Sequence, residues 1–151
     1  MKTKISEFDR ACLLLHIAIA KQQDFHDTTM LMCGIEGSGK STLCLDFYQE
    51  FCRVKDISET MLNVSFSLKG FIHTLYNSNK KDFLFLDEGG ELQSDRQLEG
   101  ISKALRSAYT VMRKKSLITL ICFTNPLRVN TYFKEDRVKG MTAELIENFI
   151  C

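Results

Sequence analysis

Proline is nearly absent from this chain: Pro126 is the one residue of its kind. No low-complexity or repeated segment occurs either, which excludes Pro-rich spacers and solenoid arrays. None of the six cysteines (Cys12, Cys33, Cys44, Cys52, Cys122, Cys151) belongs to a C-x-x-C pair. With three histidines and no close pairing, zinc-ligand spacing is missing. Four of the cysteines fall on apolar strands or helices, so the expectation is small buried hydrophobes in a reducing cytosol. His16, His26 and His73 are expected to be structural or solvated, since histidine needs a paired partner to act. A net charge of +1 with 44% hydrophobic residues excludes a disordered polyelectrolyte and fits a globular protein. At 151 residues one core, and hence one domain, is expected. No apolar run is long enough to span a bilayer. Residues 11–20 imitate a secretory signal after Met1-Lys2-Thr3-Lys4, but Glu7, Asp9 and Arg10 intervene and His16 interrupts the run. A buried cytosolic helix ending near Gln23 is the expectation, opened by Ser6 and Asp9 and followed by a polar linker to Asp27.

What the sequence does contain is Gly34-Ile35-Glu36-Gly37-Ser38-Gly39-Lys40-Ser41, which reads G-x-x-x-x-G-K-S, the Walker A pattern. Glycines at those spacings let the backbone curl with its N–H groups inward and make an anion nest. The apolar run Thr29 to Cys33 before it suits a strand. Leu43, Phe47 and Phe51 after it recur at helical spacing. The nest therefore sits at a helix N-terminus, where the macrodipole favours phosphate. Gly34, Glu36, Gly37, Ser38, Gly39, Lys40, Ser41 and Thr42 are the candidate nucleotide-binding residues. Lys40 would reach the β- and γ-phosphates, and the Ser41 hydroxyl would hold Mg²⁺.

Met61 to Phe66 alternates apolar and polar, a second strand, and a weak helix is expected over Leu68 to Tyr76. Phe83-Leu84-Phe85-Leu86 suits a central parallel strand buried on both faces. Asp87 at its carboxyl end matches Walker B, with the carboxylate directed to Mg²⁺. The adjoining Glu88 could polarise a water for attack on the γ-phosphate. A helix from about Asp95 to Arg113 carries Leu98, Ile101, Leu105, Ala108 and Met112 as one apolar stripe. Arg96, Lys103, Arg106, Arg113 and Lys114 lie opposite. Between Gly100 and Gly140 basic residues far outnumber Glu135 and Asp136, a distribution that suits either a polyanion such as DNA or a plain solvated face. Leu117 to Phe123 is a further buried strand, running into Asn125-Pro126. Asn125 is either a sensor of the γ-phosphate and attacking water or a turn residue. A short strand near Val138 to Thr142 and a helical segment from Ala143 to Phe149 close the chain.

Leu-Asp-Glu-Gly-Gly-Glu-Leu (86–92), the basic helix with Arg113-Lys114, the strand into Asn125-Pro126 and Tyr132-Phe133-Lys134-Glu135-Asp136-Arg137-Val138 follow one another in order. Over residues 28–142 this order resembles an additional-strand P-loop ATPase of the RecA/AAA+/HerA–FtsK type, in particular the zonula-occludens-toxin-like ATPases of viruses, plasmids and conjugative elements. The resemblance implies a DNA-handling motor, often a ring of subunits, in which a catalytic Glu follows the Walker B strand. A last strand would be expected where this chain stops, and no membrane anchor is expected in it although some relatives carry one.

The fold expected is α/β: a three-layer α/β/α P-loop NTPase sandwich with a mostly parallel sheet. Residues 1–27 form a helix and linker, 28–142 the nucleotide-binding core and 143–151 a terminal helical segment. The expected function is Mg²⁺-dependent ATP hydrolysis driving DNA movement in the cytoplasm. Arg137 is either an arginine finger reaching a neighbour's site or an ion-pair partner of Glu135 or Asp136. A small nucleoside or metabolite kinase is the alternative enzyme. A non-hydrolysing ATP-binding switch is the alternative without turnover. The absence of N-K-x-D after the fourth strand disfavours GTP.

Overall fold

Phe83, Leu84, Phe85 and Leu86 are all buried, and that burial places their strand at the centre of the molecule. The computed structural model describes residues 7–33, 37, 39–60, 63–87 and 98–123. In chain order the elements are α1 (Glu7–Gln23), β1 (Thr28–Cys33), α2 (Lys40–Lys55), β2 (Val64–Ser65), α3 (Leu68–Asn77), β3 (Phe83–Leu86), α4 (Leu98–Lys115) and β4 (Ile118–Phe123). The four strands form one parallel sheet in the order β1-β4-β3-β2. Parallel strands need crossovers, and α2, α3 and α4 supply them, as helix-spaced apolar residues between strand-like runs require.

The alternation of side chains along each strand divides the core in two. Phe83, Phe85, Ile118, Leu120, Cys122 and Met32 face Leu15, Ala18 and Ile19 of α1 and Cys44, Phe47, Tyr48 and Phe51 of α2. The rings of Tyr48 and Phe51 tilt against Phe83 at 5.7 and 5.3 Å. Leu84, Leu86, Leu117 and Ile121 face Leu68, Phe71 and Leu75 of α3 and Ala108, Tyr109 and Met112 of α4. Two helices thus cover each face. Each fully buried aromatic or leucine contributes about 1.5–3 kcal/mol of transfer free energy, so the central strand is where truncation costs most.

The second strand is shorter than its alternating sequence suggests. Its ladder comprises Val64, opposite Phe85, and Ser65, opposite Leu86. Met61 and Leu62 lie outside the described residues. Among the described residues β2 is at the sheet edge and has one neighbour, and Phe66 already turns towards the next helix. Ser67 caps that helix, its Oγ accepting from the Gly70 N–H at 3.1 Å.

At the opposite, amino edge the connections are tied together by polar groups. The buried Gln22 side chain donates through Nε2 to the Ser116 carbonyl at 2.9 Å and to that of Asp82 at 3.4 Å, linking the end of α1 to the approaches of β3 and β4. Phe25, Asp56, Lys81 and Ser116 reverse the chain with φ of 62°, 54°, 62° and 53°. Lys81 rests its ammonium 4.8 Å from the Phe25 ring centroid. Lys115, the last residue of α4, lies against the carbonyls that end α3. Among the described residues, no helix is long and apolar enough to cross a membrane.

Candidate functional site

The carboxyl ends of the strands are where an open parallel sheet offers loops and helix N-termini to a ligand. β1 runs into the glycine-rich segment, and α2 leaves it at Lys40. Gly37 and Gly39 have φ of 75° and 82°. A Cβ built on either would meet no atom within 4 Å. The need for glycine there comes from the left-handed backbone, not from crowding. Gly39 is the N-cap of α2, so no side chain caps that end, and the first turn carries no acidic residue. Among the described residues no side chain caps the positive end of this 16-residue helix, whereas Ser67 caps α3.

Lys40 is half-buried, and Ser41 and Thr42 are exposed. From the other side of the site comes Asp87, just past the end of β3. Its backbone N–H donates to the Ser65 carbonyl at 2.8 Å, extending the β2–β3 pairing and fixing the chain as it leaves the strand. The Ser41 hydroxyl donates to Asp87 Oδ2 at 2.8 Å. Between the strands that deliver these two residues lies β4. Residues 46 positions apart in sequence therefore present a hydroxyl and a carboxylate to one point at the sheet's carboxyl edge.

Two hard oxygen donors from the protein suit Mg²⁺, which keeps waters and substrate phosphates as its remaining ligands. Among the described residues there is no group of three or more His, Cys, Asp or Glu side chains able to hold a metal ion alone.

Of the sequence-expected site residues, Gly37, Gly39, Lys40, Ser41, Thr42 and Asp87 fall within the described part of the chain, and all stand at this edge. Gly34, Glu36, Ser38, Glu88, Asn125 and Arg137 lie outside the described residues. Of the basic face, Arg113 and Lys114 are exposed at the end of α4.

One turn into α2 from Lys40 is a contact that the sequence did not announce. Cys44 Sγ lies 3.0 Å from Cys122 Sγ and 3.6 Å from Met32 Sδ. All three side chains are buried. The hydrogen bond with Cys122, followed by burial, pushes the Cys44 thiol far above its ordinary range. The two cysteines are 78 positions apart, so no local spacing signals their pairing. No protein-family model matches the chain, and no curated protein matches it.

Proposed function

We propose that this protein is a Mg²⁺-dependent ATP hydrolase of the additional-strand P-loop class that acts on DNA. The observation that carries the reading is the Ser41–Asp87 contact at 2.8 Å, set beside a helix N-terminus with neither cap side chain nor acid. A Walker A hydroxyl and a Walker B carboxylate have a chemical reason to meet when both serve one metal. The position of β4 between the loop-bearing strand and the Asp87-bearing strand also supports the additional-strand assignment.

In this reading Ser41 and Asp87 would hold Mg²⁺, which when bound supplies neutralising charge to the phosphate oxygens. The α2 amides and Lys40 bind and orient the triphosphate. Glu88, next after Asp87, takes a proton from the attacking water. Asn125 positions that water, and Arg137 offsets charge on the transferring group. Arg113 and Lys114 on α4 support a DNA partner because they are exposed and adjacent in a stretch poor in acids. A ring of subunits is part of the same proposal and comes from the resemblance.

Two substitutions test the roles together. Lys40→Ala is expected to abolish ATP binding, while Glu88→Gln keeps binding and lowers hydrolysis by about 10²–10⁴-fold, the usual share of a general base. Unchanged turnover in Glu88→Gln would overturn the hydrolase mechanism.

A further inference from the structure

The turn that ends α1 places an aromatic residue where the backbone favours glycine. Phe25 has φ of 62°, its N–H donating to the Gln22 carbonyl at 3.2 Å and the His26 N–H donating to that of Lys21 at 3.1 Å. Glycine usually fills this position at a helix end, and a bulky side chain there is strained. Burial does not offset the strain, because Phe25 is 76% exposed. Lys81, itself in left-handed backbone at φ 62°, sets its ammonium 4.8 Å from the ring centroid. Two turns of fixed geometry thus hold a ring and a cation together, with most of Phe25 open to solvent.

Further cations share this edge. Lys55 ends α2, Lys80 and Lys81 lead into β3, and the exposed Arg113 and Lys114 stand at the end of α4, so the amino edge of the sheet collects them all. Burial, then the charge of Lys81, lowers the Lys55 ammonium from its ordinary value, which marks the two lysines as neighbours that repel. Among the described residues neither forms an ion pair. Asp82 accepts from the Asn79 N–H at 2.7 Å, and Asp24, Asp56 and Glu59 are the exposed acids that follow α1 and α2. We propose that this edge binds single-stranded DNA, one base stacking on the open face of Phe25 and the flanking phosphates lying against Lys55, Lys80 and Lys81. The proposal rests on the DNA partner named above, whose form it specifies, and is independent of ATP hydrolysis. An aromatic ring can stack only on a base whose face is free, which a duplex does not offer. An acidic peptide would answer the lysines but give the ring no planar partner. The lysines contact phosphate without reading sequence. Lys40, Ser41 and Asp87 stand at the opposite, carboxyl edge, so strand and nucleotide do not compete for one surface.

The test uses the full chain and a fluorescein-labelled oligothymidylate, read by anisotropy, with unlabelled oligothymidylate, a duplex of equal length and polyglutamate as competitors. Wild type is expected to bind the oligothymidylate and to release it far more readily to unlabelled strand than to polyglutamate. Phe25→Gly and Phe25→Asn introduce residues at ease in left-handed backbone and are made in parallel in case one fails to fold. Both are expected to bind oligothymidylate about 5- to 100-fold more weakly, the loss of one stacked base, while Phe25→Trp retains affinity. Their affinity for the duplex is expected to match wild type. Lys80→Gln and Lys81→Gln are each expected to flatten the log–log slope of affinity against salt by up to about 0.7, the single-strand value per phosphate. No binding of oligothymidylate by wild type would overturn the proposal. So would unchanged affinity in the Phe25 variants, a slope unaltered by both lysine substitutions, or polyglutamate competing as well as unlabelled strand. ATP binding, measured on the same preparations, separates the two readings, and Phe25→Gly is expected to bind ATP as wild type does. A protein that binds ATP but not oligothymidylate loses this inference alone. One that binds oligothymidylate through Phe25 but not ATP loses the hydrolase alone.

Discussion

Lys115 Nζ donates to the Ser78 carbonyl at 2.7 Å and also to the carbonyls of Leu75 and Tyr76 at 3.0 and 2.8 Å. The last residue of α4 is thereby the cationic cap of α3. A cation at the negative end of a helix dipole, hydrogen-bonded to three carbonyls, stabilises more than an exposed surface charge. Lys115→Met keeps the aliphatic stem and removes the charge. It is expected to destabilise the fold by about 1–3 kcal/mol, a fall in melting temperature of about 2–4 °C per kcal/mol for a chain this size. A melting curve unchanged to within about 1 °C would show that the cap contributes nothing measurable.

Because Lys115 is committed to α3, it is not available to a polyanion. The exposed Arg113 and Lys114 are. If they contact duplex DNA, each neutralised phosphate contributes about −0.9 to the log–log slope of affinity against salt. Replacing both by Gln is expected to flatten that slope by up to about two units, and Lys115→Met to leave it alone. A slope unaltered by the double substitution would assign these charges to solvent.

Asp56 ends α2 in the left-handed region at φ 54°, its N–H donating back to Arg53 and its side chain exposed. Two costs meet there: a Cβ where glycine is favoured, and a negative charge at the negative end of a helix. Asp56→Gly removes both, against some gain in unfolded-chain entropy. A stabilisation of about 1 kcal/mol is expected, raising the melting temperature by about 2–4 °C. A lower melting temperature would mean that the carboxylate has a stabilising role these contacts do not reveal.

Glu50 holds α1 to α2 through His16, at 3.0 Å, and pairs with Arg53 at 2.7 Å. Hydrogen bonds from Arg53, then from His16, lower its carboxyl from 4.5 to about 2. A carboxyl depressed in the folded state contributes stability above its unfolded value. That contribution is lost as pH falls from 4.5 towards 2. The effect is small because the pair is exposed. The melting-temperature difference between wild type and Glu50→Gln is expected to be greatest near neutrality and to shrink over this window. A difference that stays constant down to pH 2 would contradict the assignment.

The parts of this molecule written in local patterns were readable in advance. The apolar run Phe83–Leu86, the helical spacing of Phe47 and Phe51 and the glycines Gly37 and Gly39 each reflect one element's own geometry, and each stands where that geometry requires. Contacts between elements were not readable in this way. Nothing in the order of residues states that Lys115 folds back on Ser78, that Gln22 spans to Ser116, or that Cys44 meets Cys122. These depend on which strands become neighbours, and β4 lies between β1 and β3 although it follows both in sequence. Asn63 and Phe66 fall outside the β2 ladder for a related reason: alternation marks residues able to pair, not whether a partner strand lies opposite.

The proposed function requires that Ser41 and Asp87, 2.8 Å apart, serve one metal-bound phosphate. Equilibrium binding of a fluorescent ATP analogue tests this most directly, with Mg²⁺ and with EDTA, for wild type, Ser41→Ala and Asp87→Asn. Both positions are at the open edge of the sheet, and the two variants are expected to melt close to wild type. Wild type is expected to bind tightly with Mg²⁺ and at least about 10-fold more weakly with EDTA, in keeping with the loss of a charge-neutralising metal. Each variant should bind with Mg²⁺ as weakly as wild type does without it. Affinity that is the same with Mg²⁺ and EDTA in all three proteins, or no binding by wild type, would contradict the claim.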